Sequence, residues 1–128
     1  MKKIYRFDPV VYPRKLWVCL DNEIVGHLFK TPNGNVVHIE QEITATGCVV
    51  PRVIHRQTEK YGVLVVIHHP QTIGIEAISH EAVHVASSIF DELGMLMSFA
   101  EGRDEHYAYL VGWAAECIEK AIKQHNKS

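Results

Sequence analysis

Residues 61–93, YGVLVVIHHPQTIGIEAISHEAVHVASSIFDEL, decide how the chain folds. The first eight are apolar almost without a break and rich in β-branched side chains. That composition predicts a strand buried on both faces. Pro70, Gln71 and Thr72 interrupt it, and Thr72 is suited to cap a helix. From residue 73 to 93 the period becomes helical, and Gly94 supplies a stop. At 100° per residue, Ile78, Ala82, Val85, Ala86, Ile89, Phe90 and Leu93 fall on one side. His80, Glu81, His84, Ser87, Ser88 and Asp91 fall on the other.

Downstream, the same periodicity predicts a second helix over residues 104–124. Its apolar side holds Tyr107, Leu110, Val111, Ala114, Ile118, Ala121 and Ile122. Upstream the signals are strand and turn. Residues 3–7 and 15–19 are short β-like runs separated by Pro9 and Pro13. Residues 21–30 suggest a short helix, Thr31-Pro32-Asn33-Gly34 a turn, and residues 35–44 a strand. Residues 47–55 read as another strand. Pro51 within it cannot donate to a ladder, which predicts an edge position or a bulge. The expected class is α+β, with a strand-rich N-terminal half forming a twisted sheet packed on two long C-terminal helices.

At 128 residues the chain is expected to form one domain, residues 1–128. A net charge of −2 offers no electrostatic case for nucleic acid or an anionic membrane. The longest apolar run, Val63 to Ile67, is far too short to span a bilayer. Residues 1–8 lack the apolar core of a signal peptide, and the three cysteines form no C-x-x-C pair. Reduced thiols in a cytoplasmic protein are therefore expected.

The chemistry concentrates in His80-Glu81-Ala82-Val83-His84, an H-E-x-x-H. Residues four apart on a helix share a face, so both imidazoles can reach one cation, and Glu81 beside them can handle the proton of an activated water. Zn²⁺ accepts such ligands and usually takes three from the protein in a catalytic site. The extension H-x-x-G-x-x-H is absent, because Ser87 and Phe90 occupy its positions. Asp91 lies seven helical residues past His84, about 10 Å along the axis. Glu105, Tyr109, Gly112, Glu116 and Glu119 form one stripe of the second helix. Glu116 and Glu119 each face a lysine four residues on, as on a solvated surface. Glu105 has none, which makes it the expected third ligand, with Glu101 the next choice.

Strand, H-E-x-x-H helix and a glutamate on a following helix resemble the gluzincin-like metallopeptidases. Glu105-His106-Tyr107-Ala108-Tyr109-Leu110-Val111-Gly112 is similar to the E-x-x-A-Y-x-x-G stretch of small zincin-like proteins of phages and mobile elements. The resemblance spans roughly residues 61–116. It implies a small zincin-like domain that binds Zn²⁺ through His80, His84 and Glu105, uses Glu81 as general base, and hydrolyses a peptide or protein substrate. Tyr109 and His106 are candidates to stabilise the oxyanion, and Asp91 or Ser87 to orient the imidazoles. The chain departs from full-size gluzincins in having no large helical domain after the site, which implies a shallow cleft. Two alternatives follow from the residues. One is a catalytically inactive zincin-like module that works through protein contacts; the other is an interaction domain whose motif arose by chance. A di-iron bundle would need a second E-x-x-H and four long helices, and neither is present.

Overall fold

A five-stranded mixed sheet carries the molecule, in the order β1-β2-β5-β4-β3. The computed structural model describes residues 2–39 and 45–127. The strands are β1 (Ile4–Phe7), β2 (Lys15–Cys19), β3 (Phe29–Lys30), β4 (Gly47–His55) and β5 (Tyr61–Ile67). Two long helices, α2 (Ile75–Glu92) and α3 (Glu105–Lys127), cover one face. A short helix, α1 (Val25–Leu28), and the segment after β3 cover the other. β5 runs parallel to β2 and antiparallel to β4. The class is α+β, as the residue pattern predicts.

The central strand explains the two layers. Val63, Val65 and Ile67 point into the core beneath the helices, while Leu64 and Val66 point into the smaller core behind the sheet. Alternate side chains of a strand face opposite ways, so a strand apolar at every position must be covered twice. Gly62 is the exception in β5. A Cβ there would stand 2.1 Å from the Lys15 carbonyl oxygen and 2.7 Å from Trp17 Cζ3. Its absence leaves the Trp17 indole room to stack on His55 at 5.7 Å and to meet Phe29 edge-on.

Local departures from expectation have physical reasons. Residues 21–30 do not make one helix. Asp21 caps a 3-10 turn at Asn22–Ile24, α1 lasts four residues, and Phe29 is already extended to pair with His55. Of the strand expected over residues 35–44, the described part has only an isolated bridge between Val36 and Lys30, and residues 40–44 lie outside the described residues. Pro51 sits where the β4–β5 register shifts between Val50 and Val53, so the bulge is real. β4 is not the outermost strand, because Phe29 and Lys30 pair with its last two residues. Thr72 does not cap α2. It lies in the turn after β5, and Gly74 occupies the capping position without a side-chain hydrogen bond.

The far end of α2 closes as expected. Gly94 takes φ 66°, its N–H bonds the Asp91 carbonyl, and Met95 N–H bonds the Phe90 carbonyl at 2.8 Å. On α3 the buried residues are Leu110, Ala114, Cys117, Ile118, Ala121, Ile122 and His125. The helix runs past residue 124 because its end is fastened: Asn126 donates to the Pro70 carbonyl, and His125 contacts the Lys2 carbonyl. All three cysteines are free, and burial pushes Cys117 up to about 12 and Cys19 up to about 11. Among the described residues no helix is long and apolar enough to cross a membrane.

Two glycine substitutions separate packing from propensity. Gly62→Ala must drive a methyl into the β2 backbone and is expected to cost about 3 kcal/mol. Gly112→Ala, on an open stretch of α3 with nothing within 4 Å, is expected to stabilise by about 0.5–1 kcal/mol. Urea denaturation midpoints of the two variants check the pair, and equal midpoints would contradict it.

Candidate metal centre

The apolar stripe of α2 sets the rotation of the helix. Ala82, Val85, Ala86 and Ile89 are fully buried, so residues 80 and 84 come to the margin where the helix meets water. Their Nε2 atoms lie 3.2 Å apart, with the rings nearly perpendicular. Two nitrogens bound at 2.0–2.1 Å to one tetrahedral zinc stand about 3.3–3.4 Å apart, so the imidazoles are spaced to chelate. The donor atoms of His80, Glu81 and His84 all lie within 4.8 Å of one another, a group that could hold a metal ion.

Glu81 differs from the histidines in burial. It is 4% exposed, whereas the His80 side chain is 69% exposed. It makes no hydrogen bond among the described residues, and its Oε1 stands 4.0 Å from His80 Nε2. Gly47 gives it space. A Cβ there would stand 3.5 Å from Glu81 Oε2 and 2.7 Å from the Val66 carbonyl oxygen. Glu81 acts on two neighbours. Burial, then the Glu81 charge, raises the Cys48 thiol. Burial, then His69, lowers His68, with Glu81 opposing them.

These groups form one wall of an open cleft of about 390 Å³. The opposite wall is β4, through Gly47, Cys48, Val49 and Pro51. Ser88 closes one end and donates to the His84 carbonyl at 2.7 Å. Among the described residues no lysine or arginine lines the cleft.

The remaining residues expected at the site lie elsewhere. Glu105 is the first residue of α3, exposed, and outside the His80–Glu81–His84 group. Tyr109, Gly112, Glu116 and Glu119 share its exposure, so the whole stripe faces solvent. Glu101 is exposed in the loop before α3. Tyr109 and His106 line a different cavity, against Pro9, Val11 and Tyr12. Asp91 reaches Arg52 of β4 at 3.7 Å, and Ser87 shares a 2.7 Å hydrogen bond with the Tyr107 hydroxyl. The structure therefore brings His80, Glu81 and His84 together and leaves Glu105, Tyr109, His106 and Asp91 apart from them.

Sequence reasoning missed the β4 wall and the tyrosine that ties α3 to α2. Tyr107 accompanies its Ser87 bond with a 3.4 Å contact to the Val83 carbonyl. A helical wheel places Tyr107 on the buried side, which was the available signal. Nothing in residues 47–51 announces which end of β5 they pair with. Comparison with family models, with curated proteins and with solved structures finds no match to this chain.

His68 supplies a pH test. Its folded pKa lies below the ordinary value because burial disfavours the imidazolium. The unfolded chain then takes up a proton that the native state refuses, so stability is present above about pH 6.5 and falls as pH drops below it. Metal-free protein is expected to unfold at lower urea at pH 5.5 than at pH 7.5, and His68→Asn should reduce that difference. His55, lowered by burial and then Arg6, contributes in the same direction and remains in the variant. An unchanged pH slope in His68→Asn would reject the assignment.

Proposed function

We propose that the chain is a zinc-dependent metallopeptidase. The observation that carries the reading is the pair of Nε2 atoms at chelating distance beside a largely buried carboxylate, facing a strand. Zinc, when bound, supplies a Lewis acid that activates water near neutral pH and polarises a carbonyl. His80 and His84 hold it through Nε2. Glu81 accepts the proton of the attacking water and passes it to the leaving amine. A peptide lies along Gly47–Val50, whose outer side has no paired strand among the described residues, and main-chain hydrogen bonds hold it with little regard to sequence.

Glu105 is the third ligand in this reading. Its side chain makes no ion pair or hydrogen bond among the described residues, whereas Tyr107 on the same turn is bonded to Ser87 and would have to let go. Reaching the pair requires the first turn of α3 to swing toward α2. First turns carry unsatisfied N–H groups and open more readily than helix interiors.

The position of Glu105 also favours a second reading. With two imidazoles and Glu81, and no further metal-ligating side chain converging on them among the described residues, the same fold would serve as a metal-holding module that acts through protein contacts without hydrolysis.

Elemental analysis of protein purified without chelator is expected to find about one zinc per chain, lost in a His80→Ala/His84→Ala double variant. Absence of zinc even after added Zn²⁺ would remove the basis for the enzyme. Glu81→Gln should keep its zinc and lose peptide cleavage by about 10²–10⁴-fold. Zinc retention without cleavage by either protein selects the second reading. Glu105→Ala should weaken zinc retention while Glu116→Ala does not, and equal retention would reject Glu105.

A further inference from the structure

A cavity of about 240 Å³ opens beside the edge strand β1, on the sheet face away from α2. Lys2, Ile4, Arg6, Trp17 and His55 line it. It shares no residue with the metal cleft across the sheet. Ile39 and Ala45, the described residues nearest to 40–44, border a different cavity.

His55 is held in one orientation. Its imidazole stacks on Trp17 with 13° between the planes, and Phe29 meets it edge-on at 5.4 Å. Nδ1 lies 2.9 Å from Thr58 Oγ1 and accepts the Thr58 N–H at 3.4 Å. An accepting nitrogen carries no proton, so this pattern assigns the proton of the neutral ring to Nε2. That donor has no partner among the described residues and is not sealed from solvent.

Arg6 stands opposite Trp17 in the β1–β2 register and so shares its face. Its guanidinium is exposed and makes no ion pair or hydrogen bond among the described residues. Burial, then the Arg6 charge, holds His55 below its ordinary value, and no carboxylate among the described residues offsets them. Asp8, two positions on from Arg6, is already engaged by Lys15 and by the Val10 N–H. The Lys2 stem reaches the same cavity, with its ammonium 4.8 Å over the Tyr5 ring. Cationic and donor groups thus gather here without an acid between them, and an anion would relieve their repulsion.

We propose that this cavity binds a small phosphate monoester, its phosphate between Arg6 and His55 Nε2 and its organic part over Ile4. A phosphate offers three strong acceptor oxygens and about −1.5 to −2 charge. The bidentate Arg6 fork occupies both oxygens of a carboxylate, whereas a phosphate keeps a further oxygen for the imidazole. The volume equals about eight waters, more than a bare phosphate group fills, which leaves room for the ester. A net charge of −2 over the chain disfavours a long polyanion. The site does not depend on the metallopeptidase reading.

The test titrates the full chain with phenyl phosphate at constant ionic strength and neutral pH, following the His55 ring Cε1–H resonance. A saturating shift is expected, half complete at or below about 1 mM. Arg6→Gln, which alters an exposed side chain and leaves the Trp17–His55 stack, should raise the half-saturation about tenfold or more. Inorganic phosphate and benzoate should each bind several-fold more weakly. The His80→Ala/His84→Ala variant should respond as the wild type does. No saturating shift, or the same half-saturation in Arg6→Gln, overturns the site. Benzoate binding as tightly as phenyl phosphate overturns the phosphate, and inorganic phosphate binding as tightly overturns the ester. A response lost in the double histidine variant would put the ligand on the metal centre and overturn the proposal.

Discussion

The seating of α2 on the sheet is the constraint from which the site follows. Ala82 and Ala86 are small enough to let the helix lie close to the strands, and Val85 and Ile89 fill the space beside them. With that stripe down, the helix can take only one rotation. His80 and His84 must then stand at the water margin, and Glu81 must go under the helix toward β4. A larger residue at 82 or 86 would lift the helix and disturb all three groups, although neither alanine touches the cleft. The chemistry is thus set by packing one turn away from it.

β4 is held against α2 at two points, and the cleft lies between them. At one end Gly47 lets the strand approach Glu81 and the Val66 carbonyl more closely than any other residue could. At the other, Arg52 on the bulge bonds Glu92 at 2.8 Å, and Arg14 reaches the same carboxylate at 3.4 Å while lying over the Tyr61 ring. Isolated surface ion pairs are worth little. Glu92 is only 18% exposed, however, and two guanidiniums converge on it, so the cluster resembles a partly buried network more than a surface pair. The bulge is what turns Arg52 to the helix side, because the extra residue breaks the alternation that would otherwise govern it.

Both long helices and the doubly buried strand were legible in the residues because each has a strong period or an unbroken apolar run. The Gly94 stop was legible because only a residue tolerant of positive φ ends a helix that way. Register was not legible. The pairing of Gly47 with Ile67 depends on tertiary packing, so the wall opposite the histidines could not be named. Glu105 shows how little a local argument says about the direction a side chain faces. Its lack of a lysine four residues on makes it the expected third ligand without fixing which way the helix turns it. Tyr107 is the residue that touches α2, and Glu105, two positions earlier, is turned about 200° away at 100° per residue. The apolar positions of the same helix held that information, and they outweigh the absence of a neighbouring charge.

A motif of five residues can arise by chance, and burial distinguishes chance from use. A surface helix with an accidental H-E-x-x-H would keep its glutamate in water, where the carboxylate is solvated at no cost. Here the two imidazoles are exposed and the carboxylate is buried, against a glycine, with no internal hydrogen bond. A cation in front of His80 and His84 would stand within a few ångströms of Glu81. The exposure of the imidazoles also leaves any ion bound there open to solvent. The same asymmetry therefore argues twice, once for a metal and once for a metal that solvent can reach.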